Sequence, residues 1–246
     1  MCTATACRTL CTETWQQDFE RSKNRPTADD LLDVARWAAA VLQFSRSTAL
    51  ADSMPGTGDA ELDVLADTSV PGLLPAKPCG RAELQHLTES ALFAPVGQHR
   101  WVFAHRSYQE YLAAEFLRDR IAPEVRSELL WAGSGSARHI LPQHEEIAAR
   151  LAVDDPQLLD DLIAHDPWVV LLADLPALPD SRREQVVQAL LDTAQDHVLG
   201  RLESTLLARL NHPRLAEQLT PHLAAHSTQT ASISSCGSQR HASQPV

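Results

Sequence analysis

The chain alternates between segments with apolar residues at helical spacing and polar, proline- and glycine-marked breaks. Residues 1–19 predict a short helix with Leu10, Trp15 and Phe19 on or near one face. A polar linker, Arg21 to Pro26, follows. Thr27 and Asp30 resemble a capping box with Asp in place of Glu or Gln. Behind them Leu31, Val34, Ala35, Ala38, Val41 and Leu42 recur at intervals of three and four, the period of a buried helix face. Residues 51–80 are rich in proline and glycine and read as a loop, with one helical turn around Glu61 to Ala66. A second helix is predicted from Arg81 to Ala91.

Two short apolar runs, LFAPV and WVFA, then flank Gly97 to Arg100, the signature of a β-hairpin. Pro95 cannot donate a ladder hydrogen bond and assigns the first strand to a sheet edge. After His105, Ser107 and Glu110 have the spacing of a capping box, and Tyr108, Tyr111, Leu112 and Phe116 form one stripe of a helix that ends before Pro123. Helix, hairpin and helix over residues 81–122 have the outline of a winged-helix unit.

From residue 123 to 225 all signals are helical. Asp155-Pro156 and Asp166-Pro167 each place an N-capping Asp before a proline at the first helical position. Ser181 and Glu184 have capping-box spacing, followed by an amphipathic stripe of Val186, Val187, Leu190, Leu191, Ala194 and Val198 that stops at Gly200. Leu202, Leu206, Leu207 and Leu210 mark the next helix, broken at Asn211 and Pro213; Leu215, Leu219 and Leu223 mark the last. The expected fold is mainly α: a helical segment over 1–50, a loop over 51–80, a winged-helix part with one small hairpin over 81–122, and a repeat-like, HEAT-like helical region over 123–225. Residues 226–246 are polar and poor in bulky apolar groups, and are expected to be disordered.

Charge narrows the partners. The net charge is −11, and between Leu151 and Gly200 the only basic residues besides histidines are Arg182 and Arg183. Phosphate backbones and anionic bilayers need clustered cations, so neither nucleic acid nor membrane is expected as a partner. The N-terminus lacks the apolar core of a signal peptide, and Cys2, Cys7, Cys11, Cys79 and Cys236 have no disulfide-framework spacing. Both features fit reduced thiols in a cytoplasmic protein.

Candidate chemistry is sparse. A phosphate-binding P-loop needs Gly-Lys-Ser/Thr, and the only lysines, Lys23 and Lys77, lie in SKNR and PAKPC. His139 and His144 invite a metal reading, but position 148 is Ala, so HEEIA is not His-Glu-x-x-His; the plainer reading is a helix start with Glu145 and Glu146 in its first turn. Asp154-Asp155 and Asp160-Asp161 read as caps and solvated faces, and nothing marks Cys79 as a nucleophile. No catalytic set and no metal site are assigned.

His105 remains. It precedes a helix N-terminus, where free N–H groups and the helix dipole favour an anion, and Arg106 is beside it. Either it is a structural histidine between strand and helix, or it is a phosphate ligand.

The stretch FAHRSYQEYLAAEFL, Phe103 to Leu117, resembles the Phe-x-His-x-Ser/Thr-Phe/Tyr-Gln-Glu-Phe/Tyr-x-Ala-Ala motif of NACHT-type STAND NTPases, a family that includes the NOD-like receptors and many bacterial proteins. The resemblance implies that His105 contacts the phosphate of bound ADP in a winged helix that follows an ATPase core, with Tyr108, Tyr111 and Leu112 as packing residues. The core itself is lacking, so the chain is expected to be the non-catalytic C-terminal portion of such a signalling protein, bound to ADP or ATP only in combination with an ATPase module. Bacterial antiviral defence or stress signalling is the implied setting. The alternative is a free-standing helical scaffold that binds protein partners through its acidic face, with no nucleotide role.

Overall fold

The computed structural model describes residues 4–13, 26–52, 56, 58–67, 80–193 and 208–221. It is mainly helical with a small sheet, as the hydrophobic pattern predicts. Among the described residues no helix is long and apolar enough to cross a membrane. The chain divides into two compact units, one of residues 1–133 with 140–151, the other of 134–139 with 152–246.

The first unit is built around α2, Ala28–Phe44. Its start is the expected capping box: the Thr27 side chain accepts from the Asp30 amide at 3.1 Å, and Asp30 returns the bond to the Thr27 amide at 3.1 Å. Leu31, Val34, Ala35, Ala38 and Leu42 are buried, and Trp37 and Ala39 join them. The small alanines let neighbouring helices approach closely. Helix α1, Ala4–Thr12, turns Cys7 and Cys11 into this core. Leu10 is only half-buried, so the buried face of α1 is not the one predicted from the larger side chains. Trp15 and Phe19 lie outside the described residues.

The stretch expected to be loop is more ordered than its glycines and prolines suggest. Strand β1, Ala49–Ala51, runs into it and strand β2, Asp59–Glu61, lies within it, while helix α3, Leu62–Asp67, falls where one helical turn is predicted. Helix α4, Arg81–Thr88, is followed by the predicted hairpin of β3, Phe93–Pro95, and β4, Arg100–Phe103. The order across the sheet is β2-β1-β4-β3, with β1 parallel to β2 and antiparallel to β4. Strand β3 occupies the edge that Pro95 demands. The hairpin turn needs positive φ at Gly97 (103°) and also at His99 (56°), a residue type that tolerates it better than most. The hairpin is therefore half of a four-stranded sheet. The missed strands are only three residues each, too short for alternation to register.

Polar contacts fasten this sheet. Arg100 pairs with Asp59, and Arg81, the first residue of α4, donates to both Asp52 and Asp63. Helix α5, Arg106–Arg120, then packs on α2, with the rings of Phe116 and Trp37 at 5.5 Å. Helix α6, Pro123–Leu130, begins on proline. Helix α7, Glu145–Ala152, follows. The region after residue 123 is not wholly helical: Trp131–Ala132 and His139–Ile140 are extended.

In the second unit, α8, Pro156–His165, is capped as predicted, with the Asp155 side chain accepting from the Leu158 amide at 3.1 Å. Asp166 is at once the C-cap of α8 and the N-cap of α9, Pro167–Val170, and its side chain makes no capping bond. Helix α10, Asp180–Thr193, buries Val186, Val187, Leu190 and Leu191 as the stripe predicts. It starts before Ser181, so Ser181 is inside the first turn and not the cap. Glu184, the other half of that predicted box, instead pairs with Arg214 at 2.7 Å. Residues 215–221 are helical, with Leu215 and Leu219 half-buried. Helices α8, α9 and α10 have ten, four and fourteen residues. Ala194, Val198, Gly200, Leu202, Leu206, Leu207, Leu223 and the predicted tail over 226–246 lie outside the described residues.

Candidate functional site around His105

Strand β4 ends at Phe103, and His105 is the N-cap of α5, extended at φ −138° and ψ 136°. This corrects the predicted capping box. With His105 as the cap, Ser107 is already the second residue of the helix. Glu110 does not reach back to a Ser107 amide; it accepts from Arg106 Nε at 2.6 Å. The capping-box spacing failed because the strand delivers the chain to the helix two residues earlier than the Ser signal implies.

The imidazole of His105 makes no side-chain capping bond to the helix. It is exposed and meets the Tyr108 ring edge-on, with centroids 5.2 Å apart. The first turn of α5 therefore offers backbone N–H groups that no side chain caps, under an exposed imidazole. Arg106 is 69% exposed on its side chain but engaged with Glu110. To meet a phosphate beside His105 it must first leave that carboxylate.

Behind this surface the other motif residues form the core. Tyr111, Leu112 and Phe116 are buried, and Tyr108 is half-buried. Arg150 lies over the Tyr111 ring, 4.8 Å from its centroid, a cation–π contact between α7 and α5.

Two polar groups that sequence reasoning missed hold α5 in place. Gln109 Nε2 donates to Gln43 Oε1 at 3.1 Å. Gln43 Nε2 in turn donates to the Gln143 carbonyl at 2.6 Å and lies 3.3 Å from His144 Nδ1. Since that nitrogen is already a donor, His144 Nδ1 is the acceptor, and the imidazole is neutral. Burial, then the nearby Arg46 charge, pushes the His144 pKa down. The second group is Glu115, buried on α5 and paired with Arg118 at 2.6 Å and Arg36 at 3.3 Å. Only the extra polarity inside an apolar stripe could have signalled either group.

The remaining candidates fall apart in space or in role. His144 is 4% exposed and hydrogen-bonded within the core, while His139 is exposed. Asp155 is a cap; Asp160 pairs with Arg182, and Asp161 with Arg138 at 3.5 Å. Cys79 lies outside the described residues. Among the described residues no three His, Cys, Asp or Glu side chains are grouped to hold a metal ion.

Comparisons with protein-family models, with curated proteins and with solved structures give no match.

Proposed function

We propose that the chain is the regulatory, non-catalytic portion of a NACHT-like signalling ATPase, and that His105 is its contact to the phosphate of ADP. The observation that carries this reading is the position of His105: an exposed imidazole at the N-cap of α5, with no capping bond of its own, inside the Phe103–Leu117 motif. A helix N-terminus attracts an anion, and an exposed imidazole adds a donor beside it. The order helix, hairpin, helix over residues 81–122, given by α4, β3–β4 and α5, supports the winged-helix part of the reading. The helical region after it serves as sensor or scaffold, and an ATPase module is the partner.

The test is ADP retention by the full chain assembled with its ATPase module. His105→Ala releases ADP at least tenfold faster, with Tyr111 packing and melting temperature unchanged. Equal retention removes the clamp role and leaves His105 a structural residue of a protein-binding scaffold. The chain alone turns over no ATP; measurable turnover abolished by His105→Ala would overturn the assignment as non-catalytic.

A further inference from the structure

The helical unit holds an open concavity of about 880 Å³ between α10 and residues 208–219. This is within the range of ~300–1,000 Å³ usual for small-molecule sites. Much of its wall is apolar, including Pro176, Pro213, Leu215 and Leu219. Arg183, Arg209 and His212 stand on the same wall.

His212 is 5% exposed, and neither of its ring nitrogens has a hydrogen-bond partner. The Nε of Arg183 is buried without a partner as well. Buried polar atoms are almost always satisfied, so unmet nitrogens on two residues of one wall mark a place where an acceptor is missing. The charge around them is net positive. Arg183 gives a terminal nitrogen to Asp180, and Arg209 gives Nη2 to the Ala173 carbonyl at 2.5 Å, which leaves an anchored guanidinium on the rim. Two arginines against one aspartate make the wall net positive, in a unit whose carboxylates outnumber its arginines.

We propose that this concavity binds a small amphiphilic carboxylate. The apolar body lies against Leu215 and Leu219. The carboxylate meets Arg209 at the rim, and Arg183 and His212 come forward to it. The His212 nitrogens are buried in a residue that lines the concavity, and rotation about the soft Cβ–Cγ torsion of the imidazole turns one of them toward the ligand. The site belongs to the helical unit, and its test is independent of the role of His105.

Octanoate is the probe, titrated into the full chain by calorimetry with the histidine resonances followed by NMR. Saturable binding is expected, with a shift of the His212 resonances. Octanamide, which has the same body without the charge, binds at least tenfold more weakly. Arg209→Ala, at an exposed position that leaves the fold intact, weakens octanoate at least tenfold. His212→Phe removes the unmet nitrogens at similar volume, so the free chain melts higher while octanoate binds less well. The proposal is overturned by the absence of saturation, by equal binding of octanamide, or by undiminished binding to either variant.

Discussion

Arg100 donates two parallel hydrogen bonds to Asp59, Nε to Oδ2 and Nη2 to Oδ1, both at 2.8 Å, reaching over the intervening strand β1. The Asp59 side chain has no exposed surface, and it also accepts from the Gly56 amide at 2.7 Å. The fork geometry matches a carboxylate to a guanidinium at both oxygens. The pair ties β2, which among the described residues has a neighbour on one side only, to the rest of the sheet.

The Arg100 hydrogen bonds, then the Gly56 amide, hold the Asp59 carboxyl below its ordinary range against the opposing effect of burial. A depressed carboxyl stabilises the folded state above the unfolded pKa, and that stability is lost as pH falls through the folded value. The urea midpoint of the chain is expected to decline below about pH 4, where free aspartate protonates. Asp59→Asn unfolds at lower urea at pH 7, and its gap to the native chain narrows at pH 3. An equal gap at both pH values would remove the ionic part of this contact.

His144 gives a pH dependence in another window. Its folded pKa is depressed, so the neutral form is bound by the fold. The stabilising contribution is complete above about pH 6.5, the unfolded value, and is lost as pH falls below it. Protonation places a proton on Nδ1, against the amide hydrogen of Gln43. Between pH 7 and pH 5 the native chain loses more stability than His144→Gln does. Parallel pH profiles for the two would contradict a neutral His144 in the folded chain.

Glu115→Ala removes the carboxylate that Arg36 and Arg118 share at the α2–α5 packing and leaves each arginine with its second partner, Asp33 and Asp119. The expected loss is about 3 kcal/mol, the low end for a broken buried pair, because both arginines keep contact with water. Chemical denaturation measures it. A loss below about 1 kcal/mol would class the pair with ordinary surface ion pairs.

Burial pushes the Cys11 thiol up to about 12. Only the thiolate attacks an alkylating reagent. At pH 8 the folded chain leaves Cys11 unmodified by iodoacetamide, as read by peptide mapping, and modification follows unfolding. Prompt labelling in the native state would show that α1 detaches from the core.

The two capping predictions separate by mutation. Thr27→Ala removes a formed box and costs about 1 kcal/mol. Ser107→Ala changes stability by less than about 0.5 kcal/mol, as an exposed residue inside the first turn.

The sequence by itself determined the helices whose apolar stripes are long and whose caps are local. Thr27–Asp30, Asp155–Pro156 and the stripe of α10 needed no distant partner to be read, because each depends on residues within four positions of one another. The β3–β4 hairpin was equally legible from its turn and from Pro95. The motif that singles out His105 is also a local feature, and its place at the start of a helix could be inferred from it.

Only tertiary structure decided the rest, since it joins residues far apart in the chain. Strands β1 and β2 exist through pairing with each other and with β4, which three-residue runs cannot announce. His105 became the cap, in place of Ser107, because β4 fixes where the chain enters α5. Gln109, Glu115 and His144 could be called polar or charged from sequence alone. Their partners Gln43 and Arg36 lie on α2, and close packing against that helix turned them into the buried bonds that position the His105 surface.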